Sequence, residues 1–285
     1  MKRGRTWWML LLLLPLGMSP LHAEVIPQKL GTGVTATAEY RPGDPGRPAV
    51  LILHGFLQTR DFSTVRRLAD AVHDRGFSVL TPTLRLGIDA RAQSLPCEAI
   101  HTHTMDQSVD ELAQWVTWLA DQGHARIVLI GHSSGSTTEA IYLATRAHPK
   151  VTQAILLSLV PFGPGPLLFE TEAHAAAARQ ALARGADTLG TYALAYCRRY
   201  PAPPASFLSY YDWSRTRMAE VLAEIEVPLH VVIGGGDQRM TAPWMAALRD
   251  SPAEVMVVEG ANHFFHDMHE FDMLETVEPL LTGTP

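Results

Sequence analysis

Gly131-His132-Ser133-Ser134-Gly135 has the form G-x-S-x-G, and what flanks it decides how it is read. Ile127-Val128-Leu129-Ile130 runs straight into it, and a helix-compatible segment leaves it and stops before Pro149. Residue usage alone gives such a pentapeptide in roughly one chain in ten of this length, so the pattern by itself is weak. A strand entering and a helix leaving change its meaning. Two glycines then permit a tight turn whose central serine sits at a strained backbone angle with its hydroxyl raised above a sheet. The helix start also aims backbone N–H groups and a positive dipole end at the space beside that hydroxyl.

The same rhythm extends outward. Residues 50–53, 77–80, 127–130, 151–159, 229–233 and 255–258 are apolar, rich in β-branched residues and bounded by Gly, Pro or His, as strands buried on both faces should be. Helical patterns lie between or after them at 61–75, 105–122, 134–147, 242–249 and from near 266 to 281, and several end at Gly or before Pro. Residues 24–48, with Gly31, Gly33, Pro42, Gly43 and Pro45 around an alternating stretch at 34–40, suit an antiparallel edge hairpin. The fold class expected is α/β, a mostly parallel central sheet flanked by helices. Residues 81–104 form a long connection. Residues 161–226 exceed what one crossover requires, and are expected to form a helical cap inserted between two late strands.

A serine hydroxyl is a poor nucleophile until a base takes its proton, so a histidine and a group to orient it are needed. Gly234-Gly235-Gly236-Asp237 follows the strand at 229–233, and Gly260-Ala261-Asn262-His263 follows the strand at 255–258. His54 and His132 each precede a functional neighbour by one position and are read as turn-holding residues. Asp212, Glu170 and Asp267 rival Asp237, but none follows a strand end with a glycine turn.

Taken together, His54-Gly55-Phe56, the serine turn, Gly234 to Asp237 and Gly260 to His263 fall at strand ends in an order that resembles the α/β-hydrolase superfamily over about residues 48–283. The resemblance implies that Ser133 is the nucleophile, His263 its base and Asp237 the residue orienting that base. It further implies that the backbone N–H groups of Phe56 and Ser134 form the oxyanion hole, with Leu57 as the fallback donor. It assigns no subfamily and no substrate. The expected reaction is hydrolysis of a carboxylic ester, or of a thioester or amide, through an acyl-serine intermediate, with no cofactor and no metal. An acyltransferase using the same acyl-enzyme, and a non-catalytic binding protein on this fold, are the alternatives.

Lys2, Arg3 and Arg5 precede an apolar run at 7–14, then Pro15, Gly17, Pro20 and a Leu21-His22-Ala23 site, which is the layout of a secretory signal with cleavage expected after Ala23. The apolar run falls short of the roughly 20 residues a membrane-spanning helix needs, so no stable transmembrane anchor is expected. The expected organisation is a signal peptide at 1–23 and one hydrolase domain at 24–285, in an exported (periplasmic or secreted) protein. Removing residues 1–23 takes three of the 23 basic residues and none of the 29 acidic ones, moving the formal charge from −6 to −9. Such a chain repels phosphate backbones, which argues against nucleic-acid binding. After export, Cys97 and Cys197 either form one disulfide or remain two buried thiols.

His101 and His103, and the group His263, His266, Asp267, His269 and Glu270, are dense in metal-ligand types. Without an H-E-x-x-H or Cys/His framework, they are read as loop and helix-start residues. Phe207, Leu208, Tyr210, Tyr211 and Trp213 either line an acyl pocket or pack the cap onto the sheet. A small-molecule acyl ester is the partner expected; acyl length, leaving group and oligomeric state are not legible.

Overall fold

The structure, a computed structural model, describes residues 23–29, 33–165 and 171–282. In chain order its elements are β1 (Glu24–Lys29), β2 (Thr35–Arg41), β3 (Ala49–Leu53), α1 (Ser63–Asp74), β4 (Ser78–Thr83), α2 (Met105–Asp121), β5 (Ile127–His132), α3 (Ser134–Arg146) and β6 (Val151–Leu157). There follow α4 (Thr171–Ala183), β7 (Gly190–Leu194), β8 (Cys197–Ala202), α5 (Pro204–Tyr211), α6 (Arg215–Ala223), β9 (Leu229–Gly234), α7 (Ala242–Arg249), β10 (Glu254–Val258) and α8 (His269–Thr282).

Among the described residues, eight strands form one sheet in the order β1-β2-β4-β3-β5-β6-β9-β10. From β4 to β10 every neighbouring pair is parallel, while the β1–β2 hairpin is antiparallel and joins β4 antiparallel at one edge. Strand side chains alternate between the two faces, and both faces are covered. Val50, Ile52, Val128, Ile130, Ile155 and Val232 meet Val65, Leu68, Val72, Met273 and Val277 of α1 and α8. Leu51, Leu53, Leu129, Leu156, Val231 and Ile233 meet Val109, Leu112, Trp115, Trp244 and Leu248 of α2 and α7. This two-sided burial explains why the central strands read as unbroken apolar runs.

Three differences from the sequence reading have local causes. Strand β4 continues through Pro82, because β3 pairs only with its residues 78–80 and Pro82 faces Ala38 of the edge hairpin alone. Helix α8 begins at His269 and not near His266, since Phe265 (φ 52°) and Asp267 (φ 60°) lie in the left-handed region. The insertion between β6 and β9 is not wholly helical: β7 and β8 pair as an antiparallel ribbon in which Pro201 faces Thr191. Pro201 needs no ladder partner for its missing N–H there, because β8 has one neighbour strand.

Cys97 and Cys197 are joined, with Cα atoms 5.3 Å apart. The bridge ties the connection after β4 to the start of β8. Its separation of 100 residues corresponds to at most about 5 kcal/mol of stabilisation in the chain-entropy account. Such a bond persists in oxidising compartments, which fits an exported protein. The secretory-signal segment lies outside the described residues apart from Ala23. Among the described residues no helix is long and apolar enough to cross a membrane.

Candidate active site

Ser133 follows β5 at φ 57°, ψ −116°, a conformation that L-residues avoid and that the packing around it enforces. Its own N–H donates to the carbonyl of Leu157 (2.8 Å), fastening the turn to β6. A Cβ on Gly131 would lie 2.4 Å from the Ser136 nitrogen, and one on Gly135 would lie 2.5 Å from the Leu53 carbonyl oxygen. Both positions therefore need glycine so that α3 can start directly against β3 and β5. The Ser136 hydroxyl, 2.8 Å from the carbonyl oxygens of both Gly131 and Leu157, stitches the same corner.

Asp237 and His263 leave the carboxyl ends of β9 and β10 and meet Ser133. The His263 Nδ1–H donates to Asp237 Oδ2 (2.6 Å), and the Ser133 hydroxyl donates to His263 Nε2 (2.8 Å). A carboxylate can only accept, so the ring proton sits on Nδ1 and Nε2 is left as the proton acceptor. Burial alone would raise the Asp237 carboxyl. The hydrogen bond and charge of His263, with the N–H and guanidinium of Arg239, outweigh it and hold the group below the usual carboxylate range. Burial pushes His263 below the ordinary imidazole value, with Asp237 opposing the fall, so at neutral pH the ring is a free base.

The loop carrying His263 is held from below. Its carbonyl accepts from His132 Nε2–H (3.0 Å) and from the Ser158 hydroxyl (2.9 Å). His132 is buried, stacks on Phe62 and is pushed down to about 3 by burial and by His263. It anchors the loop, in keeping with a turn-holding residue.

His54 does the same for the turn after β3. Its Nε2 accepts from the Leu84 N–H (3.0 Å), so its proton lies on Nδ1 and is donated to the Gly55 carbonyl (2.8 Å). Burial and Arg91 push it to about 3, keeping it neutral and in that tautomer. The Gly55 carbonyl also accepts from the Gln58 N–H (3.2 Å). Because C=O and N–H point opposite ways across a trans peptide, pinning Gly55 O turns the Phe56 N–H away from these donors. The next peptide is fixed too: Phe56 O accepts from the Tyr196 hydroxyl (3.0 Å), which turns the Leu57 N–H away from Tyr196. Phe56, Ser134 and Tyr196 line one cavity with Ser133 and His263; Leu57 is not among its lining residues.

That cavity encloses about 530 Å³. Pro161, Phe162, Gly163, Pro164, Gly165, Trp244 and Phe264 line it, and Arg215, Arg239 and Gln58 supply polar groups. The Trp244 indole N–H donates to Leu159 O (2.8 Å), so its ring is fixed. The aromatic group of the insertion sits elsewhere: Phe207 and Tyr210 are buried in the core, and Tyr210 packs edge-on against Phe56 and Phe162.

The remaining sequence candidates are drawn to other partners. Asp212 pairs with Arg179, Glu270 with Arg67 and His269 with Asp272, while the His266 ring stacks on Phe264. Glu170 lies outside the described residues. His101 stacks on Tyr200 (centroids 4.1 Å), and buried His103 is pushed to about 3 by burial, His101 and Arg91. Sequence reasoning missed Tyr196, Gln58, Arg91, Arg215 and Arg239. Nothing in periodicity marks them. Arg91, buried and donating to the carbonyls of Leu84, Gln93 and Gln58, braces the turn after β3 from a loop about 35 residues on.

Comparison with known proteins identifies the family. A model of the alpha/beta hydrolase family matches residues 50–273, and the chain belongs to that family. It is similar to the bifunctional esterase/perhydrolase DCH of Acinetobacter calcoaceticus, 34% identical over 86 residues, a match spanning 30% of this chain and 29% of that protein. Among solved structures it is similar to DcsB in complex with its substrate analogue (16% identity, TM-score 0.68, covering 92% of this chain and 98% of that one). It is likewise similar to Est1E from Butyrivibrio proteoclasticus (14% identity, TM-score 0.65, covering 90% and 97%). These structural likenesses concern the fold.

Proposed function

We propose that the protein is an exported serine hydrolase that cleaves carboxylic esters through an acyl-Ser133 intermediate. The observation that carries this reading is the unbroken relay from Ser133 Oγ through His263 to Asp237, at 2.8 and 2.6 Å, opening into a largely apolar cavity. His263 Nε2 takes the serine proton as Oγ attacks the ester carbonyl, then returns it to the leaving alcohol; water repeats the cycle to free the acid. The N–H groups of Phe56 and Ser134 receive the tetrahedral oxyanion, each worth about 3 kcal/mol in the transition state. His54 and Gln58 act as positioning residues for the Phe56 amide. Residues 161–226 form the cap over the site, and residues 1–23 direct export.

The test is covalent labelling. A fluorophosphonate probe is expected to modify Ser133 and no other serine, read by peptide mass; a folded protein left unlabelled would return the chain to the class of binding proteins. The pH dependence is expected to follow His263. A base whose folded value lies below about 6.5 stays unprotonated into mildly acidic solution, so the acid limb of kcat/KM should have its midpoint below that value. A midpoint above it would mean that another group limits the reaction.

A further inference from the structure

We infer that the cavity above Ser133 is built for an ester carrying a second, anionic oxygen group, which Arg215 and Arg239 bind. This rests on the serine hydrolase reading and adds the substrate class to it.

Among the described residues that line the cavity, Arg215 and Arg239 are the permanently charged groups and none is a carboxylate; Asp237, the partner of Arg239, lies behind the lining. Arg41, Arg66, Arg67, Arg75, Arg146 and Arg179 all face carboxylates. Arg217, next to the cavity arginine but one, lies over the Trp213 ring at 3.5 Å. Arg215, the first residue of α6, has neither kind of partner among the described residues. Arg239 uses its backbone N–H (3.0 Å) and Nη1 (3.3 Å) on Asp237 Oδ1, leaving most of its guanidinium donors unused.

The two cations reach the cavity from different bodies, Arg239 from the loop after β9 and Arg215 from the insertion. Asp237 offsets the charge of Arg239, so the unpaired positive charge at the cavity is that of Arg215, in a chain whose formal charge is −6. Attraction of an anion here is therefore local and not a property of the whole surface. The walls around them, Val160, Phe162, Pro164, Trp244 and Phe264, offer an anion nothing in return for its lost water. A carboxylate entering this space gains charge-assisted hydrogen bonds where a guanidinium fork meets it. The bound group sits on the acyl part or on the leaving group of the ester, and the chemistry recognised is the same in both cases.

Two matched pairs separate these sources. In the first, the p-nitrophenyl monoester of adipic acid is compared with p-nitrophenyl hexanoate; in the second, 4-hexanoyloxybenzoate is compared with phenyl hexanoate. For the wild-type protein, kcat/KM of the charged member of at least one pair is expected to exceed that of its neutral partner by about tenfold or more, through KM. Arg215→Glu is expected to bring that ratio below one, and high salt to compress it in the wild type. If Arg215→Glu does not fold, Arg215→Gln serves, with the ratio falling towards one. Neutral members preferred in both pairs, or a ratio that the Arg215 variants leave within about twofold, overturns the anion site. Labelled Ser133 with no preference for charge counts against this inference alone. Unlabelled Ser133 with no turnover of any of the four esters counts against the hydrolase reading beneath it.

Discussion

Ser133→Ala is expected to lower kcat towards p-nitrophenyl esters by on the order of 10⁶-fold while leaving a folded protein. The loss is large because alanine removes the only atom that forms the acyl-enzyme bond; what survives is the help that the Phe56 and Ser134 amides give to direct attack by water. Folding should tolerate the change. Both residues carry a Cβ into the same left-handed conformation (φ 57°), and the hydroxyl's partner, His263, keeps its bond to Asp237. Steady-state kinetics beside a thermal melt check this: an unchanged melting temperature with turnover near background is the expected pair, and turnover like the wild type's would remove Ser133 from the mechanism.

Asp237→Asn is expected to cost about 10⁴-fold in kcat with KM little changed. Its side chain is fully buried and makes the 2.6 Å bond that fixes the proton on His263 Nδ1. An asparagine of the same shape presents N–H₂ to that nitrogen, which must then accept, and the ring proton moves to Nε2 where the serine hydroxyl needs an acceptor. The site keeps its shape and loses its base. The readout that separates this from mere unfolding is the fluorophosphonate rate, expected to fall in step with kcat in a protein that melts normally. A variant within tenfold of wild-type kcat would show that another group orients His263.

The positions of Ser133, Asp237 and His263 were legible because each answers a local rule: a glycine-flanked turn just past an apolar strand. Phe56 was proposed for the same reason, and what supports it over Leu57 is which carbonyls Gly55 and Phe56 offer to His54, Gln58 and Tyr196. Sequence could not supply that, since peptide orientation depends on partners up to 140 residues away. The alternation that reveals the sheet says nothing about the insertion, whose ribbon β7–β8 carries a proline, Pro201, that reads as a break. Tyr196, Arg215 and Arg239 share a cavity only because two loops and the start of α6 converge, and no spacing in the chain records the convergence. The helical start expected near His266 failed on two backbone angles that no composition rule flags in Phe and Asp.

The bond between Cys97 and Cys197 also makes a closed covalent ring of the intervening chain. Ser133 lies inside the ring, and Asp237 and His263 lie beyond it. A protease that cuts once anywhere between the two cysteines therefore opens the ring without dividing the molecule, and where the cut falls after Ser133 the fragment bearing Ser133 and the fragment bearing Asp237 and His263 stay tethered. The same cut in a reduced chain yields two separate peptides. Wherever the bond stays oxidised, the bridge makes the long segment around the site a place where the chain survives being nicked.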